Sequence, residues 1–132
     1  ATALLKGVEN AVQSGALVEG PLFDRWRQQS LSAEIIYQCA SAGDETALKL
    51  FHRMGWALGL ALSNLFTVLG IRHAILGGGV SASWDLFIGP LRDSFTRYAR
   101  FLSPEEMVVM KSSLGDNAAL LGAAKHAMDQ VP

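Results

Sequence analysis

From Leu48 the apolar residues of this chain step forward in threes. Leu48, Phe51 and Met54 are separated by Lys49, His52 and Arg53, and residues 54–71 then run eighteen positions without a charge. The amphipathic start and the apolar continuation predict one long helix over residues 45–69, capped by Asp44 and closed by Gly70. Eighteen uncharged residues reach the lower bound for a membrane span, and Gly55 and Gly59 form a G-x-x-x-G pair. Ser63, Asn64, Thr67 and Gly70 interrupt the run, and the amphipathic pattern upstream continues into it. Both favour a central helix wrapped on most sides by protein. In that setting the small residues at 55, 59, 61 and 63 allow close packing against a sheet or a second helix.

Around this helix the pattern predicts others over residues 2–13, 22–29, 33–42, 85–101 and 117–128. Ser32 and Asp116 are the expected caps of the third and the last. Gly43 suits the position just past a helix end. Gly89-Pro90 is expected to break or restart the fifth, because proline lacks the N–H that a helix interior uses. Ser103, Pro104, Glu105 and Glu106 read as a capped turn. Two short apolar runs, 73–76 and 107–112, read as strands. Two strands make no stable sheet by themselves, and the helices offer more apolar surface than two strands can cover. The expectation is an α/β fold with an incomplete sheet, its other strands supplied by sequence outside this chain or by another chain. A first residue that is Ala1 rather than methionine suggests the same, a piece of a longer protein.

The first strand runs into Gly77, Gly78 and Gly79, followed by Val80 and Ser81. Glycines take backbone angles closed to other residues and expose bare N–H groups, so a phosphate or a flat ring can approach the main chain. Ser81 and Ser83 are candidate caps for the helix that follows, whose N-terminus favours an anion. The second strand likewise leads into Leu114, Gly115, Asp116 and Asn117 at the start of a helix. Ligands of open α/β sheets gather at the carboxyl ends of strands. This pattern suggests a nucleotide site, although it is neither a Walker A loop nor G-x-G-x-x-G.

Composition narrows the classes. Half the residues are hydrophobic and 17% are charged, which opposes disorder. Eleven basic against twelve acidic residues leave no basic footprint for nucleic acid. The single Cys39 excludes an internal disulfide and a cysteine zinc cluster, and it reads as a buried small hydrophobe in a reducing cytoplasm. His52, His73 and His126 lack metal-site spacing. His52 falls on the polar side of the long helix, and His126 near a helix end, where a cation suits the dipole. Trp26, Trp56 and Trp84 read as core or interface anchors. Arg92, Arg97 and Arg100 read as a solvated face.

Several segments, in this order and spacing, resemble the carboxy-terminal part of the ROK family of repressors, open reading frames and sugar kinases. They are Ala42-Gly43-Asp44-Glu45-Thr46-Ala47-Leu48, Leu58-Gly59-Leu60-Ala61-Leu62-Ser63-Asn64-Leu65, Leu76-Gly77-Gly78-Gly79-Val80-Ser81 and the run from Leu114-Gly115-Asp116-Asn117 through Ala124. The resemblance implies an actin-like, ribonuclease H-like ATPase fold of the hexokinase type, with residues 1–132 as one carboxy-terminal lobe fragment. It implies an ATP-dependent hexose or amino-sugar kinase using ATP with Mg. The alternative is the effector-binding and dimerisation body of a sugar-responsive repressor. In such kinases the glycine turn lies on the adenosine side of the cleft, which makes Gly77, Gly78, Gly79 and Val80 the nucleotide contacts. Asp116 and Asn117 are further candidates, with helix capping as their plainer role. The family's phosphate loop, catalytic aspartate, sugar-binding residues and zinc cysteines have no counterpart here, so structural zinc and sugar belong to the missing amino-terminal part. The expected partners are nucleotide, sugar through that lobe and a second copy of the chain, without nucleic acid or membrane.

Overall fold

The computed structural model describes residues 2–99, 103 and 108–130. Four helices come first: α1 (Thr2–Gln13), α2 (Pro21–Arg27), α3 (Ala33–Ser41) and α4 (Glu45–Leu69). Then follow β1 (His73–Leu76), a 3₁₀ turn (Gly79–Ser83), α5 (Trp84–Tyr98), β2 (Val108–Lys111), a second 3₁₀ turn (Gly115–Asn117) and α6 (Ala118–Asp129).

Local chemistry sets the early boundaries. After α1, Gly15 sits at φ 73°. This lets the Ala16 N–H reach the Ala11 carbonyl at 2.9 Å and the Gly15 N–H reach Val12 at 3.0 Å, the double bond of a Schellman cap. The same arrangement ends α3, where Gly43 lies at φ 92° and the Asp44 N–H donates to Cys39 at 3.0 Å. Asp44 then caps α4, its Oδ1 accepting from the Ala47 N–H at 2.9 Å. Ser32 caps α3 by accepting from Ile35 at 3.2 Å. Pro21 opens α2 one residue earlier than the pattern predicts, at a position that needs no N–H.

α4 is the spine, about 37 Å long at 1.5 Å per residue. Its buried residues Ala47, Phe51, Gly55, Gly59, Leu62, Ser63 and Phe66 run down one face. The first two join Leu4, Val8, Leu17, Leu22, Ile36 and Ala40 in one core. Leu62 and Phe66 join Phe87, Leu91, Phe95 and Ala99 in a second core, flanked by Ala74 and Leu76 of β1 and Val109 of β2. Phe66 and Phe95 meet edge to face at 5.0 Å. At Gly55 and Gly59 the two helices approach so closely that an added Cβ would overlap the carbonyl oxygens of Phe87 and Leu91. The long apolar run is thus read by α5. Among the described residues no helix is long and apolar enough to cross a membrane.

Several expectations need correction. Pro90 does not interrupt α5, which continues from Trp84 to Tyr98. Burial of Phe87, Leu91 and Phe95 against α4 holds it, and the preceding Gly89 has no Cβ to press on the proline ring. Ala61 is exposed on the far side of α4, so only 55, 59 and 63 of the small residues serve the seam. Ser81 and Ser83 are buried but make no capping bond, because a 3₁₀ turn feeds α5 directly. α6 starts after Asn117, and Asn117 stands at the cap position without a side-chain bond, so Asp116 is not the cap residue. Cys39 is half-buried rather than fully buried. The turn at Pro104, Glu105 and Glu106, the start of the second strand at Met107, and the end of the fifth helix at Arg100 and Phe101 lie outside the described residues.

Candidate functional site

β1 and β2 pair in parallel, with His73 opposite Val108 and Leu76 opposite Lys111. Parallel pairing brings both strands' carboxyl ends to one edge, so the two glycine turns must emerge side by side. The Ser112 N–H extends the ladder by donating to the Leu76 carbonyl at 2.8 Å. Past it, the 3₁₀ turn of Gly79, Val80 and Ser81 packs against that of Gly115, Asp116 and Asn117. Gly77, Gly78, Gly79, Val80, Asp116 and Asn117, found separately along the sequence, therefore share one sheet edge.

Each glycine does a different job there. A Cβ on Gly77 would stand 3.2 Å from the Ser112 Cβ, so the bare Gly77 lets the two turns close on each other. Gly78 has φ 78° and ψ −179°, a region nearly restricted to glycine. Nothing lies within 4 Å of the place its Cβ would occupy. The backbone of Gly78 therefore faces open space, the approach a planar or anionic ligand needs. Gly115 (φ 53°) likewise takes a positive φ at the start of the second turn. Ser112 accepts from the Leu114 N–H at 3.2 Å and fixes that turn's start. Gly115 is marked in the sequence as part of the second turn, whereas Ser112 is not. The signal for Ser112 is the register, because the residue after Lys111 must oppose the residue after Leu76.

The other candidate residues are dispersed over the molecule. His52 is exposed and stacks on Trp56 at 6.5 Å, while His73 opens β1 and His126 lies on exposed α6. Among the described residues no three His, Cys, Asp or Glu side chains converge to hold a metal. Burial pushes the Cys39 thiol above its ordinary range, with the Asp44 carboxylate adding and Arg25 opposing. Trp26 stacks on Phe23 and Trp84 meets Phe87 edge to face, both as anchors of the cores. A groove of about 1060 Å³ lies between α1 and α4 beside Lys6, Leu50, His52 and Arg53, and shares no residue with the glycine turns. The turns form an open wall rather than an enclosed cavity, and the backbone chemistry lies on that wall.

The sequence profile of the ROK family matches residues 2–130. The chain belongs to the ROK family. A glucokinase of Halalkalibacterium halodurans is 29% identical over 92 residues, covering 70% of this ROK chain and 28% of that protein. An N-acetyl-D-glucosamine kinase of Pasteurella multocida is 32% identical over 104 residues, covering 78% of this chain and 33% of that kinase. The ROK chain thus spans about a third or less of the length of these relatives. The crystal structure of a ROK family glucokinase from Streptomyces griseus, in complex with glucose and AMPPNP, superposes with a TM-score of 0.74 at 24% identity. The match covers 96% of this chain and 41% of that one. The fold is that of the actin-like sugar kinases, helix-rich with a small two-stranded sheet among the described residues.

Proposed function

We propose that this chain is the nucleotide-facing, carboxy-terminal lobe of an ATP-dependent kinase that phosphorylates a hexose or amino sugar. One observation carries the reading: parallel pairing sets two glycine turns together at the carboxyl edge of the sheet, with Gly78 open to ligand. Gly77, Gly78, Gly79 and Val80 lie against the adenosine side of ATP, and the adjoining turn of Asp116 and Asn117 lines the same wall. The ROK family glucokinase from Streptomyces griseus was solved with glucose and AMPPNP, which supports reading this chain as part of an ATP-using sugar kinase.

Phosphoryl transfer needs a phosphate cradle, a metal and a base held together. In this reading the chain supplies the nucleotide wall, and the other lobe brings the base, the cradle and the sugar site. Mg²⁺ enters with the nucleotide phosphates. The single Cys39 does not fit a cysteine zinc cluster, so any such cluster is housed in the other lobe. The surface of the chain supports a covering lobe. Ile75 and Met110 of the sheet are 66% and 41% exposed, and Leu120 and Met128 of α6 are 71% and 74% exposed. Apolar area left open on this scale marks an interface.

The test is ADP release by the intact two-lobe protein with glucose, N-acetylglucosamine and N-acetylmannosamine. Turnover with one of them, and none by residues 1–132 alone, is the expected result. An intact protein that binds a sugar but never consumes ATP would overturn the kinase reading in favour of the repressor body.

A further inference from the structure

A glycine on α4, outside the two glycine turns, packs directly against the helix that follows the first of them. α5 follows the 3₁₀ turn of Gly79–Ser83 without a linking residue, and the Trp84 N–H donates back to the Ser81 carbonyl. The turn and the first part of α5 therefore move together. Phe87, one turn into α5, presents its backbone to Gly55. A Cβ there would overlap the Phe87 carbonyl oxygen and stand 3.2 Å from both its carbonyl carbon and its Cα. These are main-chain atoms of a buried residue, so no rotamer change relieves the overlap. Restoring an ordinary separation of about 3.5 Å requires α4 and α5 to part by roughly 1 Å. β1 enters the turn from its other end and is tied to β2 by the parallel ladder. Separation of the helices would therefore shear the turn against the strand.

We propose that Gly55 is a positioning residue for nucleotide binding: its missing side chain fixes the distance of the turn at Gly78, Gly79 and Val80 from the long helix. This rests on the kinase reading above, with those residues on the nucleotide. Displacements of about 1 Å at a binding constellation can cost up to a hundredfold. Gly55→Ala is expected to raise the KM for ATP about tenfold and leave the KM for the sugar within about twofold.

The experiment compares the intact protein with Gly55→Ala and with Leu62→Ala. Leu62 lies in the same core, but its truncation removes volume and forces nothing apart. Leu62→Ala should lower Tm and leave the KM for ATP unchanged. A raised KM for ATP in Gly55→Ala alone supports the positioning role. Equal KM values for ATP in all three proteins, or equal rises in both variants, overturn it. Should Gly55→Ala not fold, Gly59→Ala is read in its place: its Cβ sets the same kind of wedge one turn along the seam, against the Leu91 carbonyl oxygen, and a smaller rise in the KM for ATP is expected. A parent protein that shows no saturation with ATP refutes the kinase reading instead, so the two failures are distinguishable.

Discussion

Replacing Gly59 by alanine sets two effects of known sign against each other. In an unhindered helix alanine is favoured over glycine by about 0.8–1.0 kcal/mol. At Gly59 the new Cβ would overlap the Leu91 carbonyl oxygen, 3.0 Å from the Leu91 carbonyl carbon and 2.9 Å from the Ser94 Cβ. Overpacking a filled core costs about 1–3 kcal/mol, and an obstruction made of main-chain atoms belongs at the upper end. The net expectation is a loss of about 2 kcal/mol, or roughly 1 M in the urea midpoint at an m-value near 2 kcal/mol/M. Gly7→Ala is the matched control. Its Cβ would stand 2.5 Å from Leu50 Cδ2, the far end of a side chain that can turn aside, with Leu50 Cγ already at 3.6 Å. There the helix preference and the small rearrangement nearly cancel, within about 1 kcal/mol of zero. Urea unfolding of the three proteins reads both values. A Gly59→Ala protein as stable as its parent, or a Gly7→Ala protein damaged as badly, would refute the close-seam argument.

Other perturbations read other parts of the structure. Phe66→Ala, at a fully buried ring packed edge to face on Phe95, should cost about 3–5 kcal/mol in the same assay. Gly78→Ala should lose about 1–3 kcal/mol from backbone strain at φ 78°; a loss of only a few tenths would contradict the turn geometry. Asp44→Ala removes the cap of α4 and should cost about 1 kcal/mol, whereas Asp44→Asn keeps a capping oxygen and should lose little. The raised Cys39 thiol holds its proton more tightly in the folded state, so its thiolate fraction at a given pH is lower than that of a free thiol. Alkylation of folded protein should therefore show an inflection at higher pH than unfolded protein. Asp44→Asn should bring that inflection down and Arg25→Ala should push it up.

Much of the fold was legible because its boundaries are local. Asp44, Gly43, Ser32 and Gly70 end or begin helices through bonds to residues within a few positions, and such bonds leave a direct mark in sequence. Two of the expectations that failed in the helices depended on tertiary support. Pro90 reads as a breaker until Phe87 and Leu91 are known to be clamped against α4. Ala61 reads as part of a small-residue seam until the helix phase points it outward. The strands and their glycine turns were visible one at a time. Their adjacency was not, because it follows from parallel pairing across α5, which no local pattern encodes. Ser112 was missed for the same reason. The Asp116 cap failed because a 3₁₀ turn inserts before α6, a change of one residue that capping statistics do not resolve.

An amide NMR titration with ADP and Mg²⁺, with the amides of Gly77, Gly78, Gly79, Val80, Gly115 and Asn117 assigned, tests the nucleotide wall most directly. The account predicts saturable shifts that centre on both turns together, with the groove between α1 and α4 unmoved. Shifts confined to residues of that groove, such as Leu50 and Arg53, or no shifts in folded two-lobe protein, would contradict it.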